Sequence, residues 1–275
     1  LQKIKKNKID NVIMEASSHG LDQKRVDHLN FKAGIFTNFS QDHLDYHKNM
    51  KAYLNSKLIL FKKLLFKNSY VISDDSLKEY LKLKKISKNK NLRLINIKKE
   101  IDKLKNFSIP LIGSFQLKNL AMSIIAAKLC NLKTSHIYKN ITKIKSIDGR
   151  LELIKIFPKN IRVFVDYAHT PEALLTALSS LKANYKSDIS LVFGCGGERD
   201  FKKRPMMAKI AKRFCKNIYV TDDNPRNENP SKIRKQITDC LKDVNYFNIS
   251  NRSKAIYNSI LKANPNKNIL VAGKG

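Results

Sequence analysis

Glu15, His43, Asp45 and Lys57 are the residues of this 275-residue chain whose types and placement point to chemistry. Glu15 directly follows the apolar run Val12-Ile13-Met14, and the polar stretch with His43 and Asp45 follows Ala33-Gly34-Ile35-Phe36. Both runs have the length of a short strand, so carboxylates and an imidazole are expected at strand ends. In open α/β sheets the carboxyl ends of parallel strands form the crevice where ligands bind, so residues far apart in sequence converge there. Lys57 falls one helix further on, in a segment, 50–66, where Tyr53, Leu54, Lys57, Leu58, Phe61 and Leu65 suit one broad helical face. Such residues are of ligand type and stand where a bound ligand would meet them. Singly, each residue also has an ordinary reading: an exposed turn acid, His43 and His47 on a solvated face, one lysine among 44.

The elements that must position these residues continue along the chain. A short strand is expected at 70–73 and an edge strand at 94–97 inside a Lys-rich section, 78–106, whose charges read as solvated surface. Pro110 and Gly113 punctuate the chain before a helix at 115–131. A polar hinge, Ser146 to Glu152, follows, where Gly149 supplies backbone freedom and Arg150 a planar fork suited to phosphate oxygens. From Arg162 onward four apolar runs, 163–165, 189–193, 217–220 and 268–272, alternate with helical segments, and Gly, Asp or Asn follows each run closely. That alternation predicts a parallel, doubly wound sheet with its site along one edge.

Three motifs in the first half, E-A-S-S-H-G-L (15–21), F-T-N-F-S-Q-D-H-L-D-Y-H (36–47) and A-Y-L-N-S-K (52–57), closely resemble the central domain of the Mur ligases. These are the ATP-dependent amide-bond enzymes of peptidoglycan precursor synthesis. The resemblance implies that Glu15 and His43 are magnesium ligands and that Lys57 is carried as a carbamate, with the three together as the catalytic set. Carbamylation turns a repelling ammonium into a carboxylate-like anion, and magnesium prefers oxygen ligands together with waters and nucleotide phosphates. The segment from Gly113 to Asn119 resembles the family's G-x-F-N-x-x-N, which places Asn119 near the nucleotide base, although Gln116 replaces the usual first Asn. By the same resemblance Arg150, in G-R-x-E, and Asp166 meet ATP, and Ser17, Gln23 and Arg25 hold the muramoyl dipeptide.

The ordered set V-D-Y-A-H-T-P, F-G-C-G-G-E-R-D, K-R-P and T-D-D-N-P-R in the second half is similar to the C-terminal domain of the family's MurE type. Those members add the third amino acid to UDP-N-acetylmuramoyl-L-alanyl-D-glutamate. The implied fold class is α/β: a partial P-loop-type central ATPase domain at 1–147, then a Rossmann-like doubly wound C-terminal domain at 148–275 that binds the amino acid. Arg199, Asp223, Asn224, Pro225, Arg226 and Gly273 are the implied residues for that amino acid. In the family D-N-P-R marks the members that add meso-diaminopimelate, so Arg226 is expected to grip its second carboxylate. No G-K-[ST] occurs in the sequence, although the family grips ATP with a P-loop of that ending. The chain therefore reads as an internal fragment of such a ligase, inactive by itself.

Composition adds bounds. A net charge of +31 is the usual footprint of a nucleic-acid or membrane-surface protein. Here 44 Lys and 10 Arg are spread along the whole chain, and no aromatic-interleaved basic motif accompanies them, so no specific nucleic acid is expected. Four cysteines without C-x-x-C spacing read as thiols in a reducing compartment, and no run has membrane-spanning length. A cytoplasmic soluble protein follows; the resemblance implies small-molecule substrates, and a monomer is expected. Two other readings stay open: a degenerate ligase-like interaction module and a basic nucleic-acid-binding protein.

Overall fold

A computed structural model describes residues 6–273, which form two compact units. The first takes in residues up to Phe39 with His47–Ile109 and Leu117–Lys143, and the second Ser40–Tyr46, Pro110–Gln116 and the chain from Ile144.

In the first unit β1 (Phe31–Phe36), β2 (Leu65–Ser73) and β3 (Arg93–Asn96) pair in parallel, in that order. Helix α1 (Ser18–Asp22) precedes β1, and α2 (Leu44–His47) and α3 (Met50–Lys63) follow it. Asn49 caps α3, its side chain accepting the amide of Ala52, and Leu54, Leu58 and Phe61 pack with Phe36, Val71 and Leu83. Gly34 permits this packing, because a Cβ there would lie 2.9 Å from the Phe61 ring. The helix expected to reach residue 66 stops at Lys63. Leu65 instead pairs with Phe31, which commits the chain to an extended path and makes β2 longer than the expected 70–73. The Lys-rich section folds into α4 (Tyr80–Lys90), β3 at the sheet edge and α5 (Lys98–Leu104).

One expected strand is not there. Residues 9–17 are irregular, with Val12, Ile13 and Met14 at 55, 79 and 45 % exposure. The run has no strand partner among the described residues, and without one an apolar triplet has neither a ladder nor a surface to pack on.

Helix α6 (Ser114–Leu129) and α7 (Thr134–Lys139) lead to the second unit's six-stranded sheet. Its strands are β4 (Glu152–Phe157), β5 (Ile161–Asp166), β6 (Ile189–Phe193), β7 (Cys215–Val220), β8 (Tyr246–Asn248) and β9 (Asn268–Ala272), in the order β4-β5-β9-β6-β7-β8. All neighbours are parallel except β4, which runs antiparallel to β5. The four expected strands form its centre. Their runs are apolar without alternation because both faces are covered. Helices α8 (Pro171–Tyr185), α9 (Lys203–Phe214), α10 (Pro230–Thr238) and α11 (Arg252–Leu261) follow β5, β6, β7 and β8. Phe164, Leu174, Leu178, Leu191, Phe193, Ile218 and Leu270 are fully buried, and burying such a side chain is worth about 1.5–3 kcal/mol. Asp166 is in register with Ala272, and Phe193 with Val220. The loops after β5, β6, β7 and β9 therefore leave the sheet at one edge.

Candidate functional site

That edge holds a pocket of about 380 Å³ in the second unit. The loop after β5 supplies Tyr167 and His169; that after β6, Gly194, Gly196 and Arg199; that after β7, Asp223, Asn224 and Arg226. Gly273 follows β9, and Asp42 and His43 come from the 40–46 stretch. The structure thus gathers Arg199, Asp223, Asn224, Arg226, Gly273 and His43 from the sequence-derived candidates. Pro225 does not line the pocket; its carbonyl lies against Gly197, where a Cβ would stand 1.9 Å from the oxygen.

Close backbone approach builds this wall. Gly194 could carry a Cβ only 2.3 Å from the Thr221 oxygen, and the Gly197 amide donates to the Asn224 carbonyl at 2.9 Å. The Arg226 guanidinium donates through Nη1 to the Gly197 carbonyl. His43, Glu198 and Arg226 all hold left-handed backbone, with φ of 56°, 50° and 50°. For residues other than glycine this conformation costs about 1–3 kcal/mol each and clusters at functional sites.

The charges are paired across elements. Asp42 Oδ2 lies 3.4 Å from His169 Nε2 and 3.5 Å from His43 Nε2, and Oδ1 accepts the His43 amide at 2.9 Å. Burial pushes the Asp42 carboxyl up, but the His169 hydrogen bond and the charge and amide of His43 outweigh it and hold it at about 2. His169 is raised, chiefly by its bond to Asp42, and its Nδ1 is 3.0 Å from the Tyr167 carbonyl. Arg199 Nη1 reaches Asp45 Oδ2 at 3.0 Å, and Gln41 donates to Asp200 at 2.7 Å. Burial pushes the Cys195 thiol up to about 11, which leaves it protonated and unsuited to nucleophilic work.

Asp166 is used locally. Its Oδ2 accepts the Leu151 amide and its Oδ1 the Ala168 amide, both at 2.8 Å. Burial raises this carboxyl, and the two amides and Arg150 offset only part of that. Arg150 is exposed, its guanidinium 5.4 Å from the Tyr167 ring centre. The preceding linkage runs through Gln116, which is buried and donates to the Arg150 carbonyl at 2.8 Å.

Glu15, Ser17, Gln23, Arg25, Lys57 and Asn119 belong to the first unit. Ser17 caps α1, its Oγ accepting the Gly20 amide at 3.1 Å, and Glu15, Gln23, Arg25 and Asn119 are exposed. Lys57 Nζ lies 5.4 Å from the Phe36 ring centre and 5.5 Å from that of Tyr53. His47 is not on a solvated face: it is 6 % exposed, stacks on Tyr53, and has its ring nitrogens 3.0 Å from Ser18 Oγ and 3.5 Å from Ser56 Oγ. Among the described residues no three His, Cys, Asp or Glu side chains form a ready metal cage.

Asp42, Tyr167, His169 and Lys203 are pocket residues to which sequence reasoning assigned no role. The available signal was the motif context of the last three, D-Y-A-H and K-R-P.

Comparison with known proteins gives this geometry its relatives. Residues 1–127 match the family model Mur ligase middle domain, and residues 149–275 match Mur ligase, glutamate ligase domain. A curated relative from Rickettsia montanensis, UDP-N-acetylmuramoyl-L-alanyl-D-glutamate--2,6-diaminopimelate ligase, is 39 % identical over 98 % of this chain and 60 % of its own length. One of the same name from Buchnera aphidicola is also 39 % identical, again over 98 % and 60 %. The chain thus spans about 60 % of the curated relatives it matches. A solved structure of a ligase of that name superposes with a TM-score of 0.55 at 27 % identity, over 95 % of this chain and 58 % of that one. The fold is also shared by a bifunctional folylpolyglutamate synthase/dihydrofolate synthase from Yersinia pestis, at a TM-score of 0.69 and 13 % identity over 90 % and 60 % of the two chains. No described helix is long and apolar enough to cross a membrane. With both family models matched in order and the relatives aligned along nearly all its length, the chain belongs to the Mur ligase family.

Proposed function

We propose that the protein carrying this chain is an ATP-dependent ligase that adds meso-diaminopimelate to UDP-N-acetylmuramoyl-L-alanyl-D-glutamate in peptidoglycan precursor synthesis. The observation that carries this reading is the gathering of Arg199, Asp223, Asn224, Arg226 and Gly273 in one pocket. An amino acid presents an ammonium and a carboxylate, and meso-diaminopimelate presents two of each. A pocket with a carboxylate, an amide and two guanidinium forks offers complementary partners for them. The contact of Arg226 with Gly197 uses one nitrogen of a group with five N–H donors, so a bidentate grip on a distal carboxylate is compatible with it.

In the proposed reaction the γ-phosphoryl group of ATP passes to the D-glutamate side-chain carboxylate. The substrate amine attacks the acyl phosphate, and phosphate leaves the tetrahedral intermediate. No protein nucleophile is needed, so catalysis is positioning and charge neutralisation. Ser17, Gln23 and Arg25 hold the dipeptide, Asn119 and Arg150 the nucleotide, and Asp166 holds the Leu151 amide, just before β4, and the Ala168 amide, in the loop after β5. Magnesium, held through nucleotide phosphates and a few protein oxygens, would neutralise the phosphate charge. Glu15 offers a suitable oxygen and Lys57 offers one as a carbamate, whereas His43 offers a nitrogen, a softer donor than magnesium prefers. Cytoplasmic nucleotide substrates and a monomer fit this reading.

The test is ligation with ATP, magnesium and the UDP-linked dipeptide, supplying either meso-diaminopimelate or L-lysine to the enzyme that carries this chain. Arg226 is exposed, so a tripeptide product with meso-diaminopimelate, and at least about 10-fold less with lysine, is expected for a charge-assisted contact worth about 1.5–3 kcal/mol. Equal use of the two amino acids refutes the selective role of Arg226.

A further inference from the structure

The K-R-P motif at the start of α9 is not among the substrate contacts assigned above, yet its two basic residues are among the most buried charges in the second unit: Lys203 is 8 % and Arg204 1 % exposed. Burying a guanidinium costs desolvation that its hydrogen bonds must repay; in Arg204 the two terminal nitrogens do so, while the buried Nε has no hydrogen-bond partner among the described residues. Arg204 Nη1 and Nη2 bind Glu228 Oε2 and Oε1, each at 2.9 Å, as a bidentate pair. Nη1 also donates to Gln236 Oε1 at 2.9 Å, and Nη2 to the Gly196 carbonyl at 3.1 Å. One side chain thus holds the loop after β6, through Gly196, to the segment just after Arg226, through Glu228. The Glu228 carboxylate also accepts the Glu198 amide, and Asn227 donates to Glu198 Oε1 at 2.7 Å. Lys203, next in the chain, donates to the His169 carbonyl at 2.9 Å and fastens the loop after β5 to the same helix end.

Arg226 stands in the middle of this clasp. Its amide is 3.3 Å from Asn224 Oδ1, its Nη1 is on Gly197 and its backbone is left-handed. With both loops tied, its guanidinium has a fixed origin. With the tie cut, the strained backbone at Arg226 and Glu198 is free to relax, and the fork moves with it.

We infer that Arg204, through Glu228 and Gly196, is the positioning residue that fixes Arg226, and so sets the preference of this pocket for an amino acid with a second carboxylate. The inference rests on the proposed role of Arg226.

The experiment measures dissociation constants of this chain for meso-diaminopimelate and L-lysine by titration calorimetry. The proteins are the unmutated chain, Arg226→Ala, Arg204→Lys, Glu228→Gln, and Arg213→Lys as an exposed control on the same helix. Thermal unfolding of each checks the fold. Arg204→Lys keeps the charge but cannot span Glu228 and Gly196 together. It should weaken meso-diaminopimelate binding about 10- to 100-fold while lysine binding changes less than about threefold. Glu228→Gln should weaken it about 3- to 10-fold, and Arg213→Lys should change neither ligand. A merely structural defect would lower both affinities together, so equal losses overturn the inference. It is equally overturned if Arg226→Ala abolishes the preference while both Arg204→Lys and Glu228→Gln retain it. If Arg204→Lys does not fold, Glu228→Gln decides alone. If the unmutated chain fails to prefer meso-diaminopimelate, or Arg226→Ala keeps the preference, the proposed function fails instead, and the inference with it.

Discussion

His169 Nε2 stands 3.4 Å from Asp42 Oδ2, tying the loop after β5 to the 40–46 stretch within the second unit. Asp42 is held at about 2, so its contribution is present above the unfolded value of 3.8 and is lost as pH falls through about 2. His169 is raised above 6.5, so its contribution is present below that value and is lost as pH rises through the raised one. The pair therefore stabilises most between about pH 4 and 6.5. Because His169 is 45 % exposed, screening limits its worth to about 0.5 kcal/mol. Urea unfolding should show His169→Gln less stable than the unmutated protein at pH 5.5, with the gap closing by pH 8.5. A gap independent of pH contradicts the pairing.

Gly197→Ala should separate the two loops. The new Cβ meets the Pro225 oxygen at 1.9 Å and its carbon at 2.7 Å, so backbone must move at a cost of about 1–3 kcal/mol. Gly196→Ala meets only the Arg226 Nη1 at 3.1 Å, the far end of a flexible side chain, and Asn224 O at 3.5 Å. Melting temperatures should therefore fall markedly for the first and little for the second. Equal shifts would show that the loops do not touch as described.

Asp166→Asn replaces one of two carboxylate acceptors with an NH2 donor that faces a backbone amide. Leaving a buried amide unmatched costs about 1–3 kcal/mol, so stability should drop although the side chain keeps its size. Hydrogen exchange at the Leu151 and Ala168 amides should accelerate; unchanged protection at both contradicts the double contact.

Much of the architecture was legible because the central strands are short apolar runs covered on both faces, each followed closely by Gly, Asp or Asn. The run 189–193 appears unchanged as β6, and 268–272 as β9. β4 was missed because its run E-L-I-K-I-F does not alternate, and Leu153, Ile154 and Ile156 are all exposed, so no one face of it reads as buried. The triplet at 12–14 misled for the opposite reason: apolar residues alone do not make a strand without a partner. The pocket residues Arg199, Asp223, Asn224, Arg226 and Gly273 were nameable from their motifs. Asp42 with His169, and Arg204 with Glu228, join positions far apart in sequence, and such pairings leave no periodic trace for a single sequence to show.

Lys57 carbamylation is testable without turnover. Its Nζ lies near two aromatic faces, and as the neutral amine it would add dissolved carbon dioxide, releasing a proton, to give the carbamate. In 13C-bicarbonate the protein should show a carbamate carbon resonance that is absent from Lys57→Arg. The same spectrum for both proteins places any carbamate elsewhere.

The most direct measurement is a crystal structure of the protein with meso-diaminopimelate. The account predicts the distal carboxylate paired with the Arg226 guanidinium at about 2.7–2.9 Å, between the loops after β6 and β7. A ligand whose second carboxylate rests elsewhere, with Arg226 still bound only to the Gly197 carbonyl, would contradict it.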